Sequence, residues 1–484
     1  MDLILPQIDW LPLAPILPVA IGGLAVLVGD LFFPAGRKNL NAILSLASLA
    51  LSIFVSIRLW GVVRFSINDA LVLDRFGLFF FLVIALVSLL TVLLSMGYLD
   101  ENTPDQGEYY SLVLFSTLGM MLMASGGDLV VIFLGLETLS LALYTLSGFR
   151  RAELRSNESA LKYLLLGAFA SGFFLYGIAL IYGATGTTVL RRVAAFLADG
   201  KSHGPLLVIG GGLLLVGFGF KVASVPFHMW TPDVYEGAPT SVTAFMIAGT
   251  KAAAFAAFLR VFLFALPTLH IQWSAVIWVL AVLTMTLGNL VALVQNNVKR
   301  MLAYSSIAHA GYVLVAVVAG GSSGATSVLF YLVAYALMNL GAFAAIIALQ
   351  GHGQELLFLG DYAGLGFRRP ALAACMALFM FSLAGIPPTA GFMGKLYIFS
   401  AALEAHYPGL AVIGVLNSVV SVYFYLRLIV IMYMTEPAAE RPPVPRSAPA
   451  VLAVGMSALG TLQIGLFPAR LLDLARQSIA ALGK

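Results

Sequence analysis

Cysteine is almost absent from this chain of 484 residues: Cys375 stands alone, inside an apolar run. A single thiol excludes a disulfide framework, cysteine-ligated zinc and iron–sulfur ligation within the chain. Charge is scarce as well. Asp, Glu, Lys and Arg make up 10% of residues, where a soluble domain has about 25%. The six histidines are scattered without metal-ligand spacing, and no glycine-rich phosphate loop follows a strand. The formal charge of +4 belongs mostly to loops; it suits anionic lipid headgroups and gives no footing for nucleic acid. The opening MDLILPQIDW lacks a basic stretch and carries proline, so it does not read as a cleaved signal peptide.

What is abundant is apolar. The chain is 61% hydrophobic, and runs of about 20 apolar residues recur from end to end, each long enough to cross ~30 Å of hydrocarbon. A β-barrel would instead show alternating segments of ~10 residues. The fold class is therefore an all-α polytopic membrane protein. Fourteen spans are expected, near 11–33, 39–61, 71–98, 109–126, 128–149, 158–184, 205–225, 240–266, 273–294, 301–319, 325–350, 370–386, 408–434 and 446–468. Residues 187–201 are amphipathic and suit the membrane interface. An even number of spans puts both termini on one side. The opposite loops hold eleven basic residues, from Arg37 to Arg446, against eight from Arg64 to Lys484 on the terminal side. That bias makes the odd-to-even loops the cytoplasmic ones.

Ionisable residues within such spans are costly and point to function. Gly217–Lys251, GFGFKVASVPFHMWTPDVYEGAPTSVTAFMIAGTK, carries Lys221 at the end of one apolar run and Lys251 in the middle of the next, around a Pro-, His- and Asp-containing break. GIPPTAGFMGK, with Pro387, Pro388 and Lys395, repeats the combination of break and lysine near the twelfth span. Interrupted helices at corresponding places in two halves mark an ion site between inverted repeats; a proline kink without a role is the plain alternative.

Glu137 lies halfway along the fifth span among apolar neighbours. Burial favours the uncharged form of a carboxyl or an amine, and an opposite charge nearby restores the charged one. Lys221 is the simplest partner, either as a proton-releasing couple or as a static ion pair. Lys251, among small residues, has no neutralising group on its own helix, and Lys395 completes a series of three amines. Ser305, Ser306, Thr250 and Tyr312 offer hydroxyls between them. His309, central in SSIAHAGY, is either a relay group or a hydrogen-bonded core residue. Glu158 and Lys162 are spaced i, i+4 and form a pair on one helix face. Of the two, Lys162 lies deeper and is the better relay candidate. Arg427 stays charged and fixes helices or snorkels. Trp10, Trp60 and Tyr98 read as interfacial aromatic anchors.

Taken together, the GLE of the fifth span, FKVASVPFHMWTPDVYEGAPT, the GTK of the eighth, KRMLAYSSIAHAGY and GIPPTAGFMGK resemble the antiporter-like membrane subunits of respiratory complex I, over nearly the whole chain. Lys395, and a chain that stops after its fourteenth span without a long lateral helix, single out one branch of that family. The resemblance implies two inverted five-helix repeats, spans 4–8 and 9–13, each with a broken helix. It divides the chain into 1–100 (three spans), 101–270 (first repeat), 271–435 (second repeat) and 436–484 (last span and tail). It also implies a proton relay in which Glu137 modulates Lys221, Lys251 passes protons on and Lys395 leads to release, with Glu158 and Lys162 at further positions. NADH, FMN, iron–sulfur clusters and quinone are implied in partner subunits, and antiporter-like subunit M and small subunit K as neighbours. Cation/proton antiporter subunits of multi-subunit exchangers and membrane-bound hydrogenases share these features; a scaffold without transport is the remaining reading.

Overall fold

The computed structural model describes residues 8–34, 37–96, 98–99, 106–199, 204–350, 355–436 and 447–482. Lys201, Arg441, Arg446 and Lys484, counted in the orientation argument, lie outside these, as does the start of the opening segment. Helices α1 (Leu17–Asp30) and α2 (Asn39–Arg58) precede a hairpin of β1 (Arg64–Ser66) and β2 (Leu71–Leu73). Then follow α3 (Arg75–Met96), α4 (Gln106–Ser125), α5 (Leu129–Ser147), α6 (Leu154–Thr185), α7 (Leu190–Ala198), α8 (Pro205–Val222), α9 (Thr231–Gly237) and α10 (Thr240–Ala265). The second half comprises α11 (His270–Leu293), α12 (Val298–Ala319), α13 (Gly321–Leu349), α14 (Leu365–Arg368), α15 (Pro370–Ala384), α16 (Ala390–Glu404), α17 (Pro408–Met434), α18 (Ala448–Leu466) and α19 (Ala469–Ile479).

The apolar runs become helices within a few residues of their expected limits. Eleven helices among the described residues are long and apolar enough to cross a membrane, and α1 and α15 are apolar but shorter. The third span starts later than expected. Residues 71–73 are strand, and the helix begins only where the Asp74 carboxylate accepts the Gly77 N–H at 2.6 Å, an N-cap that hydropathy does not register. Within the amphipathic segment at 187–201 lies α7, Leu190–Ala198. A second amphipathic helix, α19, follows the last apolar one.

Burial sorts the helices into two sets. Helices α3, α10, α12 and α13 are enclosed on almost every side, whereas α2, α6, α11, α17 and α18 expose apolar residues such as Phe54, Phe169, Ile271, Val419 and Leu459. In a bilayer the second set meets lipid or neighbouring subunits, and the first carries polar groups away from both. Lys221, Lys251 and Lys395 are all buried.

Candidate functional site

The first break is built on backbone chemistry. Helix α8 ends as Ala223 turns to φ 63°, and Pro226 follows, which brings no N–H to continue the ladder. The groups set free find partners: Phe220 C=O accepts from Trp230 Nε1 at 3.1 Å, and the Val225 N–H donates to Thr284 Oγ1 at 2.9 Å. Bonds of this kind are what allow a broken helix at membrane depth. In the last turn of α8, Lys221 Nζ donates to Ser140 Oγ at 2.8 Å and to Tyr163 OH at 3.1 Å. Trp230 stacks on Tyr163 at 4.6 Å.

Glu137 makes no direct contact with Lys221. Its carboxylate accepts from Ser171, and no ion pair within 4.0 Å joins it to Lys221. The two groups are joined indirectly. Ser140 stands one turn after Glu137 on α5, and Ser140, Ser171 and Lys221 line one cavity with Tyr144 and Gly167, just large enough for a water molecule. Carboxylate, serine, cavity, serine and amine thus form a series across α5, α6 and α8. The serine signal was in the sequence, at i+3 from Glu137, but which helix would face it was not.

Lys251 sits on α10 between two π-helical stretches, Met246–Thr250 and Arg260–Ala265. Such widened turns are frequent at functional sites. Its amine donates to the Ser306 carbonyl oxygen and lies 5.7 Å from the Tyr335 ring centroid. The Ser306 and Tyr335 hydroxyls, both buried, have no hydrogen-bond partner among the described residues. Thr250 turns its hydroxyl back to Met246 C=O.

At the second break the lysine comes after the interruption. Helix α15 ends at Gly385 with φ 87°, where an added Cβ would meet Lys395 Cδ at 3.0 Å, so glycine serves both the turn and the close approach. From α16, Lys395 reaches back to the Leu383 and Ala384 carbonyls at 3.1 and 3.0 Å, with its amine 4.8 Å from the Tyr312 ring centroid. A cation on the last carbonyls of a helix is favoured by the helix dipole. His309 joins this pocket to that of Lys251. Its ring lies 5.6 Å from Tyr312 and 5.3 Å from Tyr335, with Nδ1 bonded to Tyr331 OH and Nε2 3.0 Å from Tyr425 OH. Tyr425 also bonds Ser305. Lys251, His309 and Lys395 therefore share one aromatic pocket, and Glu137 and Lys221 share another.

Glu158 and Lys162 form the expected pair at 2.7 Å, but Lys162 is not deep: it is half exposed and bonded equally to Asp233 at 2.7 Å. Arg300 continues the series, 2.8 Å from both Asp233 and Glu236. Nearby, Glu355 gathers Tyr98 at 2.5 Å, Thr240 at 2.9 Å, Arg150 at 3.2 Å and Lys299 at 3.4 Å. Burial alone would raise its carboxyl, but Lys299 and Arg150, with the Tyr98 and Thr240 bonds, hold it down at about 2. Tyr98 thus turns its hydroxyl to a carboxylate. Burial, with Glu355 beside it, pushes its phenol well above the usual tyrosine range. Arg427 fixes a helix, as expected, donating to Asn296 Oδ1 at 2.6 Å and to the Leu293 carbonyl at 3.4 Å.

One charged pair went unread in the sequence. Arg260 in α10 grips Asp74 bidentately at 2.7 and 3.0 Å, and Arg260 Nε donates to Ala124 C=O at 2.7 Å. The two side chains are 4% and 3% exposed; removing one partner of such a pair costs about 3–5 kcal/mol.

The likeness to known proteins runs along nearly the whole chain. A family model described as NADH:quinone oxidoreductase/Mrp antiporter, TM, matches residues 126–421. NADH-quinone oxidoreductase subunit N of Trichlorobacter lovleyi is 50% identical over 462 residues, 95% of each chain. A chain of respiratory complex I from Thermus thermophilus superposes with a TM-score of 0.82 at 38% identity, over 96% of this chain and 99% of that one. A chain of the Mrp complex from a Dietzia species gives a TM-score of 0.85 at 25% identity, over 98% and 97%.

Proposed function

The chain belongs to the NADH:quinone oxidoreductase/Mrp antiporter transmembrane family, and from that premise we propose that it is the subunit N type of membrane subunit in a bacterial NADH–quinone oxidoreductase, moving protons across the inner membrane. Its 50% identity to a subunit N relative and 38% to one complex I chain, against 25% to the Mrp chain, favour this over a cation/proton antiporter. The observation that carries the reading is the burial of three amines, Lys221, Lys251 and Lys395, on helices that are broken or widened beside them.

In this reading Glu137 sets the charge state of Lys221 through Ser171, Ser140 and a water between them. A proton released from Lys221 passes to Lys251, then past His309 to Lys395. Glu158 and Lys162 belong to the charged series at the odd-to-even face, where protons are collected. The architecture that goes with it has fourteen spans and two inverted repeats, 101–270 and 271–435, after a three-span unit at 1–100 and before a last span at 436–484. The packing of α4 on α5 and of α11 on α12 at matching places supports that division. NADH, FMN, iron–sulfur clusters and quinone are held by partner subunits, and subunits M and K are the neighbours.

The test is Lys221→Ala in the assembled complex, with proton pumping and NADH–quinone turnover measured in membrane vesicles. Pumping is expected to fall by about a hundredfold or more, the scale on which a positioned proton-transfer group acts. Undiminished pumping and turnover would overturn the reading.

A further inference from the structure

Helix α3 lies outside the residues that the family model matches, yet it is among the most enclosed helices of the molecule. Its two ends meet the two ends of α10. Asp74, the residue before α3, holds Arg260 with two bonds and caps its own helix through the Gly77 N–H. Arg260 is further fixed by the Ala124 carbonyl and by the Phe76 ring, 4.7 Å away. At the other end Tyr98, just past α3, accepts the Thr240 N–H at 3.2 Å, and both residues bond Glu355. One turn inward, Ser95 on α3 meets Tyr109 at 2.9 Å, and Tyr109 meets Ser241 on α10 at 2.7 Å. The two helices run antiparallel, with Lys251 midway between the two attachments.

The middle of α10 has no such attachment to α3. There Gly249 packs against Val87 of α3 and Met120 of α4 through apolar contact alone. Lys251 occupies a nine-residue α-helical piece, Lys251–Leu259, with a π-helical stretch at either side. Arg260 opens the second of these stretches. A helix interrupted at two points has two places where its rotation can be taken up, so the direction of the amine depends on how the ends are held. Local capping does not hold them: the N-cap residue of α10, Pro239, makes no side-chain cap bond. The ion pair and the hydroxyl contacts do.

We propose that α3 is a splint for α10, and that Asp74, Arg260 and Tyr98 are positioning residues that aim Lys251 at the Ser306 carbonyl and the aromatic pocket around His309. This gives the N-terminal three-span unit a part in transport, and it rests on the relay reading of Lys251. Removing the Asp74 charge frees the Arg260 end, lets the piece that carries Lys251 turn, and places the amine in different surroundings. Its proton affinity then changes, because the carbonyl and the aromatic rings it faces change with it.

The experiment compares Asp74→Asn, Arg260→Lys, Tyr98→Phe and Lys251→Ala in the whole complex. Proton pumping and NADH–quinone turnover are followed from acid to alkaline pH, and assembled complex is quantified on native gels. Asp74→Asn is expected to slow pumping about tenfold, within the range that small misplacement of a reacting group produces, and to displace the pH profile. Arg260→Lys keeps the charge but loses the two-pronged grip, and shows a smaller displacement of the same sign; Tyr98→Phe shows the smallest. A merely structural role lowers the amount of complex and leaves the profile of the remainder unmoved. Asp74→Asn complex with a wild-type rate and profile overturns the proposal. Should Asp74→Asn fail to assemble, Arg260→Lys decides: a displaced profile supports the splint and a wild-type profile overturns it. Lys251→Ala keeps the two questions apart, since normal pumping in that variant overturns the relay itself.

Discussion

The two broken helices place their lysines on opposite sides of the interruption. Lys221 comes before its break and is surrounded by side chains: Ser140, Tyr163 and, through Ser171, the Glu137 carboxylate. Lys395 comes after its break and reaches back to the carbonyls the break exposed, over the Tyr312 ring. One amine answers to a carboxylate held through serines, the other first to backbone dipoles, with His309 in the same aromatic pocket. Sequence likeness between the breaks conceals this difference. Under the proposed relay, the first pocket is therefore the one that the Glu137 carboxylate can switch.

The sharpest way to break that comparison is Glu137→Gln. It should cut proton pumping about tenfold or more, since one unit of pKa is already a factor of ten in protonation equilibrium. Pumping in vesicles at fixed complex content is the check, and unaltered rates would make the two pockets alike. A smaller effect, about fivefold, is expected from Ser140→Ala or Ser171→Ala, which each remove a hydroxyl hydrogen bond on that path worth about 1 kcal/mol. If both serines lie on one path, the double variant is little slower than the worse single one; effects that multiply would mean separate paths.

The third contrast concerns how each broken helix rejoins the next. After the first break, the α9–α10 joint is locked by charge: Lys299 donates to Ala238 C=O at 2.8 Å, and Glu355 accepts from Thr240. After the second, the turn between α16 and α17 is closed by backbone bonds such as Tyr407 N–H to Ala402 C=O at 2.8 Å. Glu355 is held at about 2, below its ordinary 4.5. A depressed carboxyl stabilises the folded chain above its unfolded value and loses that contribution as pH falls toward the folded one. The lock is therefore intact at neutral pH and fails between about pH 4.5 and pH 2, with a loss on the order of 3 kcal/mol. Thermal unfolding followed across that window should show a drop that Glu355→Gln abolishes. An equal drop in the variant would assign it to other groups.

Much of this was legible in the sequence for a simple reason. A charge inside an apolar run is conspicuous, so Glu137, Lys221, Lys251 and Lys395 stood out, and Pro226 and Pro387 marked the breaks. Asp74 and Arg260 did not stand out because each lies near the end of a run, where a charge ordinarily meets water; only the fold brings them together. The bond of Tyr98 to Glu355 was hidden for the same reason, since a tyrosine at a helix end suits the interface equally well. Whether Glu137 touches Lys221 could not be read: periodicity gives the face of α5 but not the distance to α8, and two serines fill the gap. No residue in Met246–Thr250 announces a widened turn.

That widened turn has a further consequence. A π-type turn accommodates one residue more than the regular helix, and each residue of a regular helix advances the chain by about 100°. The heading of Lys251 is consequently written into five neutral residues, MIAGT, that bear none of the chemistry. Shortening that stretch by one would return it to regular helix and remove the slack beside the amine, while leaving every charge in the protein untouched.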